Sequence, residues 1–566
     1  MATISKVDDK IQLFTEYSDI EKCRSIPCGK WNKKVSCWEY PLEALPNVIG
    51  AFPRATVDSI LKGQLRRFDV IERNVSALVR GETEPRDHPF LMAHQRKCRD
   101  IAIFKNKYAW YMDTGTGKTL TAYAVIEDKI TAKWLVICPR SIIKTAWVED
   151  HLHFFPYLKV LPMSTNMKKK DYLEVAERWG LGYLGKLKTA DIPKYLMQYA
   201  DVIVINPESF KIRDDVRTWP HAGLIVDESS ILRDMRSQIT KSVIEHADRM
   251  QYTYLLSGKP APNSDLEYFA QMRVVNRALL GDSFFKFRDT FFKPIDYFGR
   301  DFRMIPEMKE AFSQRLAKSC IYISKGECLD LPKDMPPIIR SVELPKDAMR
   351  QYRQMEKDSI LLLQDKSVAA SNKLAAMMKL RQMTSGFIID TNDDSKVMQL
   401  HHAKLDELRS VITELGDNKA VIWINFKHEV ADIMELVASM GKTAVTAYSG
   451  TKNTDDSIDD FKSDKAQFII AHPKTLKYGV TFTGESMVKN CTYAIYYSMS
   501  HSFEDYYQSH DRIYRKGQTE ACTFILLIAE HTIDEDISAV VTRKGSNAEV
   551  MENMIRRCGD AEISED

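Results

Sequence analysis

Tyr108-Ala109-Trp110-Tyr111-Met112-Asp113-Thr114-Gly115-Thr116-Gly117-Lys118-Thr119 runs from an apolar segment of strand length into a glycine-rich turn, and Leu120–Val125 continues it with helix formers. Strand, glycine loop and helix is the context a phosphate-binding loop requires. Gly115 and Gly117 free the backbone to turn N–H groups inward around an anion at the helix N-terminus, so Thr114, Gly115, Thr116 and Gly117 form the expected cradle. Lys118 is placed to reach the β and γ phosphates of ATP, and Thr119 to offer its hydroxyl to Mg²⁺. The strict spacing of such loops puts Gly at position 112, where this chain has Met; the GxGKT core is intact.

A phosphate loop by itself says only that a nucleotide binds. The second element is Leu224-Ile225-Val226-Asp227-Glu228-Ser229-Ser230, an apolar run ending in two adjacent acids. At the C-terminal end of a buried strand, Asp227 is suited to hold Mg²⁺ through water and Glu228 to orient and deprotonate an attacking water. Hydrolysis is therefore favoured over binding alone.

Working outward, short apolar runs recur at Trp134–Cys138, Val202–Ile205 and Tyr254–Leu256. A second series follows at Val421–Ile424, Phe468–Ala471, Tyr493–Tyr497 and Phe524–Ile528. Continuous apolar strands alternating with helical stretches predict parallel sheets buried on both faces. The two series are set apart by a charged, helix-patterned stretch, so two α/β lobes are expected. That stretch is interrupted by Leu331-Pro332-Lys333-Asp334-Met335-Pro336-Pro337, which suits a semi-rigid crossover.

Composition sets the outer bounds. The 566 residues are 44% hydrophobic and 28% charged, which is ordinary globular composition. No apolar run approaches the roughly 18 residues that span a bilayer, and residues 1–9 lack the apolar core of a signal peptide. A cytosolic or nuclear protein with no membrane partner is expected. Ten cysteines are scattered without a CxxC pair, which points to reduced thiols rather than a zinc site. The net charge of +2 is neutral on nucleic acid, so any such contact must come from local patches.

The ordered set of motifs resembles the helicase superfamily 2 ATPases, and more narrowly the Swi/Snf-type DNA translocases, over roughly residues 88–540. Leu91-Met92-Ala93-His94-Gln95 resembles the Q motif, which implies that Gln95 reads the adenine edge. Leu135–Arg140 with Trp147 resembles the motif whose strand end touches the DNA backbone, implying a DNA contact at Arg140. Asp201–Phe210 resembles the following strand-loop. Leu255-Leu256-Ser257-Gly258-Lys259-Pro260 resembles the motif coupling ATP state to DNA grip, with Ser257 as a nucleic-acid contact and Lys259 in place of the usual Thr. Ala420–Phe426 and Tyr478–Thr483 resemble second-lobe motifs. Gln508-Ser509-His510-Asp511-Arg512-Ile513-Tyr514-Arg515-Lys516-Gly517-Gln518 matches the family's Q-x-x-D-R-x-x-R-x-G-Q segment at every fixed position. Read as a helix, its Arg512 and Arg515 share one face and suit the γ-phosphate charge of the transition state, with Gln508 toward the nucleotide. Thr532-Ile533-Asp534-Glu535 resembles part of the closing strand and helix.

The resemblance implies two RecA-like lobes with helical insertions and a small N-terminal accessory domain. Expected boundaries are 1–62 for the accessory domain, 63–87 for an amphipathic helix and linker, and 88–264 for the first lobe. Then come 265–337 as helical insertion and crossover, 338–400 as second-lobe insertion, 401–540 as second lobe, and 541–566 as tail. It implies an ATP- and Mg²⁺-dependent ATPase on duplex or forked DNA, working as a monomer. It would be nucleoid-associated if the host is prokaryotic or viral, and nuclear if eukaryotic. A strand-separating DNA or RNA helicase is the alternative, and a nucleotide-gated clamp with little turnover a third.

Residues 30–40 read as a hairpin carrying Trp31 and Trp38 around Asn32-Lys33-Lys34. The pattern resembles the HARP domain of annealing helicases, which implies that Trp31, Trp38, Lys33 and Lys34 meet unpaired bases and phosphates. Equally, the two tryptophans suit the core of a small β-rich domain. Leu61, Leu65, Phe68, Ile71, Val75 and Leu78 fall at helical spacing, with a basic opposite face. Lys168-Lys169-Lys170 reads as a DNA contact or a solvated loop.

Overall fold

The computed structural model describes residues 2–542 except 165–166, 263, 296–301, 330, 333, 365–369, 390–396, 477–479, 485–486 and 501. The tail from 543, the Tyr478-Gly479 end of one second-lobe motif and Lys333 of the crossover lie outside the described residues. The chain divides into two compact units, Met1–Cys328 and Leu329–Asp566.

In the first unit seven strands form one sheet in the order Cys320–Ile323, Lys107–Met112, Tyr252–Ser257, Gly223–Asp227, Trp134–Ile137, Val202–Ile205, Val160–Met163. Every pairing is parallel. Successive side chains of a strand face opposite ways. Leu135, Ile137, Leu224, Val226 and Leu255 therefore enter one core, while Trp110, Val136, Ile225, Tyr254 and Leu256 enter the other. With both faces covered, each strand must be apolar at every position, which is why these runs were readable. Because all seven run the same way, the loops leaving Met112, Ile137, Ile205, Asp227 and Ser257 open along a single edge.

The second unit repeats the plan with six parallel strands, ordered Ile338–Val342, Thr523–Ala529, Tyr493–Tyr496, Ala420–Trp423, Phe468–Ala471, Ala444–Ala447. The helices Lys346–Gln364 and Ala370–Thr384 follow its first strand.

Two expected boundaries are corrected. The stretch 265–337 is not wholly insertion and crossover: Cys320–Ile323 closes the edge of the first sheet beside Lys107–Met112, and the first unit ends at Cys328. Likewise 338–400 opens with an edge strand of the second sheet, Ile338–Val342. Edge strands of four or five residues have one neighbour and mixed burial, so neither shows the continuous apolar run of a central strand.

The N-terminal residues form a five-stranded sheet ordered Lys30–Asn32, Cys37–Pro41, Lys10–Phe14, Thr3–Val7, Thr56–Val57. The expected hairpin is present, with Trp31 directly opposite Trp38. A single helix, Ser59–Arg80, follows, so the expected division at 62/63 falls inside it. Asp58 caps its start by accepting from the Ile60 N–H at 2.7 Å, and Gly81, at φ 75°, ends it in the left-handed conformation. Leu61, Leu65 and Phe68 pack on the N-terminal sheet, while Ile71, Val75 and Leu78 pack on the first lobe. One amphipathic face thus fastens the small domain to the large one. Ala278 is buried among the N-terminal residues as well, and its carbonyl accepts from Asn47 Nδ2 at 3.1 Å.

Candidate active site

The phosphate loop is built from the end of Lys107–Met112 to the start of the helix Lys118–Asp128. Gly115 and Gly117 both hold positive φ, 84° and 83°. At Gly117 a Cβ would also lie 2.0 Å from Gln95 Nε2, so the position excludes side chains twice over. Gln95 is buried: its Nε2 donates to the Thr116 carbonyl at 2.9 Å and its Oε1 accepts from Met92 N–H at 2.8 Å. The same carbonyl accepts from His94 Nε2 at 2.8 Å. His94 was not singled out from sequence, where a histidine before the glutamine carries no separate signal. Thr116 Oγ1 ties back to the Asp113 carbonyl at 2.7 Å. Lys118 Nζ donates to the carbonyls of Met112, at 3.0 Å, and Asp113, at 3.4 Å, so its ammonium sits at the loop. Thr114 and Thr119 are half-buried there.

Asp227 ends the strand Gly223–Asp227 and is buried. Its Oδ1 accepts from the Glu228 N–H at 3.0 Å and its Oδ2 from Trp147 Nε1 at 2.9 Å. Burial pushes this carboxyl above its ordinary range, while the Lys118 charge and the two N–H donors pull against that. Glu228 follows in the left-handed region, at φ 58° and ψ 58°. For a residue with a β-carbon that conformation is uncommon and clusters at functional sites. Here it turns the strand sharply and leaves Glu228 Oε1 accepting from Ser230 Oγ at 3.1 Å and Ser257 Oγ at 3.2 Å.

Ser257 is therefore corrected as a nucleic-acid contact. It is fully buried at the end of the strand next to Gly223–Asp227, and register places its hydroxyl against Glu228. Beyond it, Gly258 packs so closely that a Cβ there would stand 3.0 Å from Thr114 Oγ1. A further hub escaped sequence reading: Gln271, buried, accepts from Ser229 Oγ at 2.8 Å and Tyr111 Oη at 3.2 Å, and donates to the Pro260 carbonyl at 2.6 Å. It ties the acid strand, the phosphate-loop strand and the Ser257–Pro260 turn together. A glutamine inside an apolar helix, Tyr268–Val275, was its one visible trace.

Among the expected nucleic-acid residues, Arg140 is exposed at the first position of the helix after Trp134–Ile137. Trp31 is 48% exposed, and Lys33 and Lys34 are exposed in the turn beside it. Trp38 is 8% exposed and belongs to the N-terminal core, so it is corrected as a base-stacking residue; the ring of Trp31 meets it edge-on at 5.7 Å. Lys169 is held by the carbonyls of Gly185 and Leu187, at 2.7 and 2.9 Å, so the lysine run is in part structural.

In the second unit the helix Phe503–His510 stops before the arginines, which lie in the turns of 511–517. Arg512 and Arg515 therefore do not share a helix face. Arg512 is buried, donating from Nε to the Gln508 carbonyl at 3.0 Å and from Nη1 to the Val480 carbonyl at 2.6 Å. Arg515 is half-buried. Gln508 donates to Glu504 Oε1 at 3.1 Å, and its own Oε1 is buried without a hydrogen-bond partner. Gly517, at φ 94°, lets the turn pass Gly484, where a Cβ would come within 2.9 Å of the Gly484 Cα.

The residues fit a magnesium–nucleotide pair. A buried carboxylate beside the loop lysine, with Thr119 at the helix start, is the one-carboxylate arrangement by which Mg²⁺ is held together with phosphate oxygens.

A phosphate loop and a strand-end acid pair on one edge of a parallel sheet, with a second parallel-sheet unit behind them in the chain, define a helicase-type nucleotide hydrolase. The SNF2-related domain matches residues 111–386 and the helicase conserved C-terminal domain matches 403–517. The chain belongs to this family of helicase-like ATPases acting on nucleic acids. It is 23% identical over 465 residues to "Putative protein p41" of Acyrthosiphon pisum secondary endosymbiont phage 1, covering 78% of this chain and 92% of that one. It is 22% identical over 449 residues to the mouse (Mus musculus) DNA annealing helicase and endonuclease ZRANB3, covering 76% of this chain but 38% of that protein. The Sulfolobus solfataricus SWI2/SNF2 ATPase core in complex with dsDNA aligns over 85% of this chain and 96% of that one, at 21% identity and a TM-score of 0.37. Among the described residues no helix is long and apolar enough to cross a membrane.

Proposed function

We propose that the chain is an ATP-driven translocase on duplex DNA that remodels branched or protein-bound DNA, with fork regression or strand annealing as its output. The observation that carries the hydrolytic half is the placement of Glu228: its carboxylate, beside the buried Asp227, accepts two hydroxyls and stands on the same sheet edge as the phosphate loop. The DNA half rests on family membership and on relatives named as DNA annealing helicases and a DNA repair and recombination protein.

ATP as substrate would displace the Met112 and Asp113 carbonyls as partners of Lys118, whose ammonium then meets the phosphates while the loop N–H groups surround them. Thr119 and Asp227 are the residues that would hold Mg²⁺, which neutralises charge developing on the phosphate oxygens. Glu228 takes the proton of the attacking water. Ser230 and Ser257, by donating to Oε1, fix its direction. Gln95 and Gln508 are assigned to the nucleotide, and Arg515 to the γ-phosphate charge; Arg512 supports the turn that carries Arg515. Because Ser257 bonds Glu228 and the following turn is gripped by Gln271, a change at the acid is passed to Lys259-Pro260 and the helix Tyr268–Val275. Arg140 is assigned to the DNA backbone, and Trp31 with Lys33 and Lys34 to a junction's unpaired bases. The protein would act as a monomer.

The test is steady-state ATP hydrolysis by wild type, Lys118→Ala and Glu228→Gln, with no nucleic acid, single strand, blunt duplex, forked duplex and RNA. Stimulation by duplex, higher on forks, absent in Lys118→Ala and reduced about 100-fold or more in Glu228→Gln with ATP binding retained, is the expected result. Stimulation mainly by single strands or RNA would replace the translocase with a strand-separating helicase.

A further inference from the structure

The indole of Trp147 is fully buried and donates its N–H to Asp227 Oδ2. Burial alone does not bring an indole N–H to a carboxylate in this chain: Trp219 donates to the Met197 carbonyl at 2.9 Å, and the N–H groups of the buried Trp110, Trp134 and Trp423 have no hydrogen-bond partner. Trp147 instead spends its one donor on the side chain assigned to magnesium. A carboxylate has about four lone-pair directions. At Asp227 one on each oxygen is taken by protein, through Trp147 and the Glu228 N–H, so the carboxylate is held in plane and its remaining directions are set.

Trp147 is itself held from the phosphate-loop side. Its carbonyl accepts from the Tyr123 hydroxyl, and the two rings pack 5.1 Å apart. Tyr123 is fully buried on the helix Lys118–Asp128, the helix whose first turn presents Lys118 and Thr119. Trp147 lies in a π-helical turn, Ile143–Val148, that starts three residues after the exposed Arg140. Such turns carry an extra residue per turn and are frequent at functional sites.

We propose that Trp147 is the positioning residue of the magnesium site: its indole N–H fixes the Asp227 carboxylate, and Tyr123 locks that indole to the helix that carries Thr119. The proposal rests on the magnesium–ATP reading of this site. It assigns Trp147 no contact with substrate.

The test is the gain in affinity that Mg²⁺ gives a fluorescent ATP analogue, measured by equilibrium binding in EDTA and in Mg²⁺ for wild type, Trp147→Phe and Tyr123→Phe. The Trp147→Phe protein is expected to bind within twofold of wild type in EDTA. Its Mg²⁺-dependent gain should fall about tenfold, as for loss of a partner that orients a metal ligand. The Mg²⁺ concentration for half-maximal hydrolysis should rise in step, and Tyr123→Phe should move both readings the same way by less. If Trp147→Phe does not fold, benzothienylalanine at position 147 puts sulfur in place of the N–H in nearly the same shape, and the same two readings apply. A full Mg²⁺ gain without the indole N–H overturns the proposal. A wild-type protein whose ATP affinity ignores Mg²⁺ overturns the parent reading, and this one with it.

Discussion

Single hydrogen bonds decide protonation states well away from the active site. Arg249 Nη2 faces His246 Nδ1 at 3.5 Å, which makes that nitrogen an acceptor and puts the proton on Nε2. His246 Nε2 then donates to His221 Nε2 at 2.7 Å, and His221 Nδ1–H donates to the Trp219 carbonyl. Both imidazoles are thus neutral in the fold. Burial, the other imidazole and the cationic Arg249 and Arg217 push His246 down to about 3, and burial, ahead of the Arg249 charge, lowers His221. In the unfolded chain each takes up a proton near pH 6.5. The unfolded state therefore binds more protons below that point, so this contribution is complete above about pH 6.5 and is lost as pH falls toward the folded values. Thermal melting at pH 7.5 and pH 5.5 is expected to show a larger drop for wild type than for His246→Gln. Equal drops would remove the pair as the cause. Neither histidine was legible as a partner of the other, since 25 residues and a strand separate them in sequence.

Elements fared unevenly. The central strands were legible because burial on both faces demands unbroken apolar runs. The hairpin of residues 30–40 was legible from its turn, but the roles of its tryptophans were not, because Trp31 and Trp38 stand opposite each other on strands of the same sheet. Only the strand order separates them: Trp38 is on an inner strand, paired with Leu13 and packed in the N-terminal core, while Trp31 is on the edge strand and stays half-exposed. Trp38→Ala is expected to cost about 3–5 kcal/mol and to loosen the N-terminal sheet, seen as a separate early melting transition. Trp31→Ala removes one ring pair, about 1 kcal/mol, and leaves the melt nearly unchanged. Its expected effect is functional: weaker ATPase stimulation by forked duplex with blunt-duplex stimulation kept. Equal loss on both substrates would return Trp31 to a purely structural role. The segment 508–518 shows the opposite case. Its residues were matched one by one, yet the helix ends at His510, and Arg512 is drawn inward by two main-chain carbonyls.

The whole molecule is two units, each built on a large parallel sheet with a core on either face, and the first also carries the N-terminal sheet with its own core. A chain segment that closes its own hydrophobic cores can fold alone. Residues 1–328 are therefore expected to fold cooperatively and bind ATP, because Lys118, Gln95, Asp227 and Trp147 are all within them. Turnover should be lost, because Arg515 is not. Circular dichroism melting, analogue binding and phosphate release would check this. A fragment that hydrolyses ATP at the rate of the full chain would mean that the second unit contributes nothing to the chemistry. The relatives differ at this scale too: the chain spans 92% of the phage protein but 38–58% of the curated animal relatives it matches.

Sequence by itself determined the order of chemistry along the chain: glycine loop, lysine and threonine, then the acid pair, then the arginine segment. The glycine loop and the acid pair are adjacent in sequence to the strand ends that present them, so spacing and apolar runs sufficed there; the arginine segment, in turns after the helix Phe503–His510, was legible only through its resemblance to the family's motif. Tertiary structure alone decided which side chains support them. Ser257 under Glu228, Trp147 on Asp227 and Gln271 across three segments join residues that lie 11 to 160 positions apart. Such pairings follow from which strands lie side by side in a sheet, and parallel neighbours, joined through crossover helices, are set by packing that no local pattern encodes.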